Sequence, residues 1–348
     1  MPSLRAAIVG AGLIASKKHI PAYLKHQKTV QLSAICDVNA QAVQQVAQSF
    51  RIPHTYPNLS EMLAQEKPDI VDICTPPRTH AALAVQAMEH GCHVLIEKPM
   101  ALTVADSDAI VDAARKHGVQ VCVAHSDLFY WPFMHARELV ARGAIGTIRG
   151  MRIFLSTPMD YMTSQPDHWA HKLPGGVIGE TGPHVVYMSL AFLRNVRDVN
   201  VSTMKLLDYP WSQYEDYRID ILGENGISSI ALTYTTQQWM ARVDVLGEDG
   251  TLLLDLEGMN LVTYRRRALR PLAIGRSVLS DAAHSLGNLC RNGLRSITGT
   301  LRSTHDLIIE RFAESILQGT APPVTAEEGR ETVRVLNMIV DKLQGQSG

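Results

Sequence analysis

The sequence has no excess of charge, no paired cysteines and no long apolar run, and each absence excludes a class of protein. Its 33 lysines and arginines balance 34 aspartates and glutamates, so bulk charge does not favour nucleic acid as a partner. The five cysteines show no Cys-x-x-Cys spacing, which argues against a disulfide framework or zinc knuckle and predicts a reducing compartment. No uncharged apolar stretch reaches the roughly 20 residues that span a bilayer, and no signal-peptide pattern opens the sequence. We therefore expect a cytoplasmic protein.

The 348 residues, 46% of them hydrophobic, are enough for two folded domains. In residues 1–124, short β-like runs alternate with helix-like segments, which is typical of a doubly wound parallel sheet. The predicted strands are Ala6–Val9, Gln31–Cys36, Ile70–Cys74, His93–Ile96 and Gln120–Ala124. The predicted helices include Ala40–Phe50, Ser60–Gln65, His80–His90 and Val104–Lys116. We assign residues 1–124 to a first, α/β domain.

Residues 125–348 have a different pattern, in which strands follow one another with few helices between them. The predicted strands are Ile148–Leu155, Val199–Leu206, Asp216–Leu222, Ile227–Thr235, Ala241–Leu246 and Gly250–Leu256. Glu224-Asn225-Gly226 is a good hairpin signal. We predict a second, α+β domain with a large, mostly antiparallel sheet. Its C-terminal helices, Asp306–Gln318 and Ala326–Leu343, are candidates to pack back on the first domain.

A glycine pattern follows the first predicted strand. Gly10, Gly12 and Ala15 form G-x-G-x-x-A around Leu13 and Ile14, a spacing that turns the chain sharply and lets a pyrophosphate approach the backbone and a helix N-terminus. Asp37 ends the second strand, where an acid accepts hydrogen bonds from an adenosine ribose and repels a 2′-phosphate. The pattern predicts a Rossmann domain that binds a dinucleotide, NAD rather than NADP.

Three further stretches carry polar residues at positions suited to chemistry. Thr75, Pro76 and His80 follow a predicted strand on the cofactor side of the sheet. Glu97-Lys98-Pro99 follows the next strand, so Lys98 is placed over the crevice at the strand ends. Residues 175–184 contain four glycines and end in Glu180-Thr181-Gly182-Pro183-His184, which predicts a loop close to a ligand and a helix from Val185 onward.

These motifs together resemble the Gfo/Idh/MocA family, the group of glucose–fructose oxidoreductase, inositol 2-dehydrogenase and the rhizopine catabolism protein. The resemblance rests on GAGLIA, CTPPRTH, EKP, the glycine loop ending in ETGPH, and the C-terminal stretch from Phe312 to Gly329. It implies a Rossmann domain and an open-faced α/β domain whose sheet makes homodimers or homotetramers. It also implies NAD(P)-dependent oxidation of a secondary alcohol on a sugar, polyol or related cyclic compound, and leaves NADP open as the cofactor.

The resemblance also assigns roles to residues. Lys98 matches the family lysine and His184 the histidine of its D-x-G-x-H motif, with Glu180 in place of the aspartate. Residues 123–129 replace the family's asparagine–arginine–arginine pattern, which makes His125 a candidate pocket residue. The expected cofactor-binding residues are Gly10, Gly12, Leu13, Ile14, Asp37, Thr75, Pro76, His80, Glu97 and Lys98. The expected substrate-binding residues are His125, Trp169, His171, Lys172 and Thr181.

These residue types fit hydride transfer from a secondary alcohol. A histidine titrates near neutral pH, so His184 is suited to take the hydroxyl proton, while Lys98 stabilises the developing alkoxide. Glu180 either orients the histidine or binds another hydroxyl. Histidines 168, 171 and 184 lack metal-site spacing, and we expect no metal. Two other hypotheses stay open: a glycosidase or epimerase with tightly bound NAD that borrows and returns the hydride, and a dinucleotide sensor without enzymatic activity.

The function just described leaves one segment unexplained. Between Arg265 and Arg302 there are eight arginines and a single acid, Asp281, with apolar residues at helical spacing. A basic amphipathic helix over residues 276–298 would suit an anionic membrane surface or an acidic ligand. Charge runs of this kind are usually solvated, so a surface or subunit-contact helix is the favoured interpretation.

Overall fold

A computed structural model describes residues 3–345 of the chain, which fall into two compact units. The first comprises the chain up to Ser126 together with Arg302–Arg334, and the second comprises Asp127–Leu301 and the chain from Val335 onward. No helix within residues 3–345 is long and apolar enough to span a membrane.

The first unit contains a six-stranded parallel sheet. Its strands are β1 (Leu4–Val9), β2 (Val30–Cys36), β3 (His54–Tyr56), β4 (Ile70–Ile73), β5 (His93–Ile96) and β6 (Val121–Val123). The spatial order is β3-β2-β1-β4-β5-β6, so the chain direction across the sheet reverses between β1 and β4. Ligands of such sheets bind at the carboxyl ends of the strands at this switch point. The predicted Rossmann fold is confirmed.

Helices cover this sheet and complete the unit. They are α1 (Ile20–Lys25), α2 (Ala40–Phe50), α3 (Leu59–Glu66), α4 (His80–Glu89), α5 (Val104–His117), α9 (Thr304–Gln318) and the beginning of α10 (Ala326–Gly345). Asn39 caps α2 by accepting hydrogen bonds from the N–H groups of Gln41 and Ala42. A π-helical turn, Ala15–His19, precedes α1 and was not predicted, nor was the short edge strand β3.

The second unit is built on a seven-stranded sheet. Its strands are β7 (Ile148–Ser156), β8 (Asp198–Met204), β9 (Asp216–Gly223), β10 (Gly226–Thr233), β11 (Met240–Gly247), β12 (Thr251–Asp255) and β13 (Asn260–Tyr264). The order is β13-β12-β11-β7-β10-β9-β8, with the β7–β10 pair parallel and the other pairs antiparallel. The mostly antiparallel sheet is therefore confirmed, with β13 as an additional strand.

One face of this second sheet is apolar. Along β11 the buried residues Ala241, Val243 and Val245 alternate with more exposed Arg242 and Asp244, which is the two-residue period of a half-buried strand. The helices of this unit are α6 (Trp131–Ala141), α7 (Ile178–Leu190) and α8 (Pro271–Ile297). The hairpin predicted between β9 and β10 is present, with a two-residue turn at 224–225.

Candidate functional site

The glycine loop after β1 leaves room for a ligand at the switch point. Gly10 has φ +108°, and a Cβ there would lie 2.6 Å from the carbonyl oxygen of Cys74, so only glycine fits without moving β4. At Gly12 an added Cβ would meet no atom within 4 Å. Leu13 is 70% exposed beside it, and Ile14 is half-buried. This open, side-chain-free backbone at the start of a helix fits a pyrophosphate.

Asp37 stands at the end of β2 with its carboxylate tied to the glycine loop. Oδ2 accepts a hydrogen bond from the N–H of Ala11 at 2.7 Å, and Oδ1 accepts one from the N–H of Asn39 at 2.8 Å. Two backbone donors therefore fix the carboxylate beside the phosphate-binding backbone, where a ribose hydroxyl would be recognised. The residues found here suit the adenosine half of NAD.

The loops after β4 and β5 are joined by a buried histidine. The Nε2 atom of His80 lies 2.8 Å from the carbonyl oxygen of Thr75, and its Nδ1 atom lies 3.0 Å from that of Pro99. Burial lowers the pKa of His80, against the opposing effect of these two backbone contacts. Thr75 is half-buried, with its hydroxyl 2.8 Å from that of Thr79, and Pro76 is exposed, while His80 holds the loops together.

Lys98 is half-buried immediately after β5, and its backbone N–H donates to Oε2 of Glu97 at 3.0 Å. The Glu97 side chain is directed inward rather than toward solvent: it is 6% exposed, and its Oε1 atom lies 2.8 Å from Nε2 of His19. Glu97, expected from the sequence to bind the cofactor, thus contacts the backbone of Lys98 and the interior of the unit.

Glu97 belongs to a buried network of acids and histidines. His19, in the π-helical turn, also places Nδ1 at 2.7 Å from Oδ2 of Asp72, and Nε2 of His305 on α9 lies 3.6 Å from Oε1 of Glu97. Burial opposes protonation of His19, but its interactions with Asp72 and Cys74 together outweigh burial and raise the histidine's pKa well above its usual range. Burial would raise the pKa of Glu97, but hydrogen bonds from the two histidines hold it well below its usual range.

Within the described residues, this network also supplies the groups whose atoms could surround a metal ion. They are His19 with Asp72 and Cys74, and His19 with Glu97 and His305. All of these residues are buried. The hydrogen bonds between His19 and the two acids account for this arrangement. The expectation of no metal, drawn from the sequence, concerned a different set of histidines, 168, 171 and 184.

In the second unit, His184 is oriented by a carboxylate. Its Nδ1 atom lies 2.8 Å from Oδ2 of Asp127 and 2.6 Å from the hydroxyl of Tyr187, which in turn accepts the Asp127 backbone N–H at 3.1 Å. A carboxylate only accepts, so the ring proton sits on Nδ1 and the lone pair of the neutral ring on Nε2. Sequence reasoning missed both partners. It gave Glu180 two alternative roles, either to orient His184 or to bind another hydroxyl of the substrate.

The helix that carries His184 begins earlier than predicted, at Ile178, so the prediction of a loop over residues 178–183 is wrong. Gly179 and Gly182 lie within this helix and pack closely against other residues: a Cβ on Gly179 would lie 2.7 Å from Cβ of Leu173, and one on Gly182 would lie 2.9 Å from Cδ1 of Leu336. Their small size allows this close packing between segments.

The predicted substrate residues have different surroundings. Thr181 is buried and hydrogen-bonds the hydroxyl of Tyr234, and His125 in the first unit is 2% exposed. His171 uses Nε2 to contact the carbonyl oxygens of Met162 and Gln165 at 3.2 and 3.0 Å. Those two contacts tie His171 to its own loop.

Trp169 and Lys172, by contrast, are exposed. Trp169 belongs to an aromatic cluster in which ring centroids lie 4.9–6.5 Å apart; its other members are Tyr161, His168, His171 and Trp239. Tyr161, Trp169 and Trp239 are 46%, 46% and 56% exposed. Burial lowers the pKa of His168, against the raising effect of the Glu180 charge, which places Glu180 within electrostatic range of this cluster.

Two family models match the chain. Residues 4–125 match "Oxidoreductase family, NAD-binding Rossmann fold", and residues 133–253 match "GFO/IDH/MocA C-terminal domain". The protein is 34% identical over 145 residues to the D-glucoside 3-dehydrogenase of Escherichia coli, a match that spans 42% of this chain and 41% of that one. It is 24% identical to a D-apiose dehydrogenase of Rhizobium rhizogenes over 94% of this chain and 99% of the relative.

Among solved structures, an oxidoreductase domain protein from Kribbella flavida superposes with a TM-score of 0.83 at 22% identity, covering 99% of this chain and 98% of that one. That likeness supports the fold of both units. Together with the two model matches, which account for most of the chain, it confirms the resemblance drawn from the motifs. The chain belongs to the Gfo/Idh/MocA family of oxidoreductases, and its first domain is of the NAD-binding Rossmann type.

Proposed function

We propose that the protein is an NAD-dependent dehydrogenase that oxidises a secondary hydroxyl of a sugar, sugar acid or cyclitol, with Lys98 and His184 as its catalytic residues. The observation that carries the proposal is the His184–Asp127 contact. A carboxylate that holds the proton of a histidine on Nδ1 leaves Nε2 ready to accept a proton, as in other carboxylate–histidine pairs that perform general base catalysis.

The proposed roles follow from the chemistry of each group. Nε2 of His184 takes the proton of the substrate hydroxyl, and Asp127 stabilises the imidazolium that forms. The ammonium of Lys98 donates to the same hydroxyl oxygen and stabilises its developing negative charge. Bound NAD supplies the hydride acceptor. Glu97 fixes the backbone of Lys98 through its N–H, so that the lysine side chain starts from a constant position.

The substrate class is argued from the second unit and from the relatives. An exposed group of aromatic rings beside an acid, Glu180, offers a surface on which the apolar face of a sugar packs while its hydroxyls bond to polar side chains. The two curated relatives described above are named for action on a glucoside and on apiose. We therefore expect a carbohydrate or cyclitol that presents adjacent hydroxyl groups.

The test is turnover measured as NADH absorbance with a panel of sugars, sugar acids and cyclitols. We expect Lys98→Met and His184→Asn each to lower kcat by about two to three orders of magnitude, since each removes a group that acts on the hydroxyl. The affinity for NAD, titrated separately, should change little. Matched controls are Lys116→Met and His135→Asn, at a lysine and a histidine on the surface helices α5 and α6.

Three results would contradict the proposal. Full activity of either active-site variant refutes that residue's role, and no binding of NAD to the wild-type protein refutes the dehydrogenase itself. A third result would be conversion of a substrate while NAD stays bound and no NADH accumulates. That result would assign the chain to the enzymes that borrow and return the hydride.

A further inference from the structure

The hydroxyl of Tyr187 links the two members of the carboxylate–histidine pair. It accepts the backbone N–H of Asp127 at 3.1 Å and lies 2.6 Å from Nδ1 of His184. His184 and Tyr187 are three residues apart on α7, so their side chains share one face of that helix. Asp127 instead belongs to the short helical turn Ser126–Phe129. Tyr187 therefore ties the backbone that carries the carboxylate to the helix that carries the histidine.

Burial holds this hydroxyl in place. Tyr187 is 2% exposed, so the ring is fixed by packing. The first N–H groups of a helical turn have no acceptor within the turn, and the Tyr187 hydroxyl supplies one to the N–H of Asp127. The side chains of Asp127 and His184 are 15% and 18% exposed. Water and salt therefore screen the contact between them only weakly.

One arrangement of protons satisfies all three groups. Nδ1 of His184 lies within hydrogen-bond distance of both Oδ2 of Asp127 and the Tyr187 hydroxyl. If Tyr187 donated its proton to Nδ1, the lone pair of that nitrogen could not at the same time bond to the carboxylate, which only accepts. Nδ1 therefore carries the proton, and both oxygens accept it in a three-centre hydrogen bond. A hydroxyl oxygen has two acceptor sites, so Tyr187 accepts the Asp127 N–H as well.

We propose that Tyr187 is a positioning residue, whose hydroxyl keeps the ring proton of His184 on Nδ1 and holds Asp127 in place beside the ring. Its effect on turnover rests on the proposed function, in which Nε2 of His184 is the base. Without the hydroxyl, Asp127 is left as the one acceptor of Nδ1–H, and its own N–H loses its acceptor. A larger fraction of molecules then carries the proton on Nε2, and those molecules cannot take a proton from the substrate.

The variant that tests this role is Tyr187→Phe in the full chain, which removes the hydroxyl and keeps the ring. We expect kcat to fall about tenfold, the effect of losing one neutral hydrogen bond, while KM and NAD affinity change less than about twofold. The matched control is Tyr217→Phe, at a buried tyrosine on β9 whose hydroxyl donates to the carbonyl oxygen of Tyr214 at 3.0 Å. It loses a similar hydrogen bond away from the pair, so kcat should stay within about twofold of the wild type.

Double-mutant cycles separate positioning of His184 from a general structural role. In the His184→Asn background, Tyr187→Phe should change the remaining kcat by less than about twofold, because no imidazole is left for the hydroxyl to hold. In the Lys98→Met background the loss of about tenfold should persist, because Tyr187 acts on the base and not on the lysine. A structural role would lower kcat by a similar factor in both backgrounds.

Nuclear magnetic resonance of the imidazole nitrogens measures the tautomer without turnover. In protein labelled with nitrogen-15 at histidine, the His184 signals are those lost in His184→Asn. Tyr187→Phe should lower the ratio of the Nδ1–H to the Nε2–H tautomer about tenfold, and Tyr217→Phe should leave it unchanged.

An unchanged tautomer ratio in Tyr187→Phe overturns the proposal. So does a kcat that Tyr187→Phe leaves unchanged, or lowers by the same factor in the wild-type and His184→Asn backgrounds. If the wild type converts no substrate, the proposed function fails, and the tautomer ratio still decides whether Tyr187 positions His184.

Discussion

Replacement of His19 by alanine should strongly destabilise the first unit. The histidine is fully buried, and both of its ring nitrogens face carboxylates, Asp72 Oδ2 at 2.7 Å and Glu97 Oε1 at 2.8 Å. Both acids accept, so both nitrogens donate and the ring is an imidazolium. Removing one partner of a buried ion pair costs about 3–5 kcal/mol, since the remaining charge is left in the interior. His19→Ala leaves two such carboxylates, so we expect a loss at the upper end of that range.

The assay is the free energy of unfolding from urea titration, with His90→Ala as the matched control. His90 is an exposed histidine of the same unit, and its replacement should change the free energy by less than about 0.5 kcal/mol. Adding Glu97→Gln to His19→Ala should recover about 1–3 kcal/mol, because it removes one of the two stranded charges. A loss below about 1 kcal/mol for His19→Ala, or no recovery in the double variant, would refute a charged network.

The pH dependence of the free energy of unfolding tests the charges of His19 and Glu97 independently. The raised pKa of His19 stabilises the folded state fully below the unfolded-state pKa of about 6.5, and this contribution is lost as pH rises through the folded pKa. The lowered pKa of Glu97 stabilises it above about 4.3, and that contribution is lost as pH falls through the folded pKa. The difference between wild type and His19→Ala should therefore be greatest between about pH 4.5 and 6.5 and shrink in alkali. A difference independent of pH would contradict this reasoning.

Three further predictions concern the site. Gly10→Ala should lower NAD affinity at least tenfold in calorimetric titration, because its Cβ would meet the Cys74 carbonyl oxygen; unchanged affinity would show that the loop does not hold the cofactor. Asp127→Asn should lower kcat by about 10²-fold, and by no more than His184→Asn, with NAD affinity retained, since an amide does not fix the His184 tautomer. A fall of less than tenfold would exclude that role. Asp37→Ser should reduce the preference for NAD over NADP at least tenfold in paired titrations, because the charge opposing a 2′-phosphate is lost. An unchanged ratio of the two affinities would mean that another residue determines the cofactor preference.

The sequence predicted the Rossmann sheet and its glycine loop well because these features are local. Periodicity identifies a buried strand, and Gly10 is required by a backbone conformation and a close approach that few other residues tolerate. The β9–β10 hairpin was predictable for the same reason, since a two-residue turn is set by the residues within it. The three-residue edge strand β3 was missed because it is too short to show a period.

The parts that were mispredicted or missed depend on contacts between residues distant in sequence. Asp127 and His184 are 57 residues apart, and no local pattern indicates that their side chains meet. Gly179 and Gly182 were assigned to a loop because glycine usually breaks helices, whereas packing against Leu173 and Leu336 requires their small size within one. For α8, periodicity predicts an amphipathic helix but not which side faces the sheet.

The first unit consists of two separate stretches of the chain, which are synthesised at different times. The first unit is interrupted after Ser126 and resumes at Arg302, so α9 and His305 reach it only after the main segment of the second unit has been synthesised. At bacterial and eukaryotic translation rates this interval is roughly 10–40 s. During it the nascent Rossmann sheet lacks α9, and Glu97 lacks the contact with His305. The dinucleotide-binding unit therefore completes its interior late in translation, and a fragment that stops at residue 126 does not contain it whole.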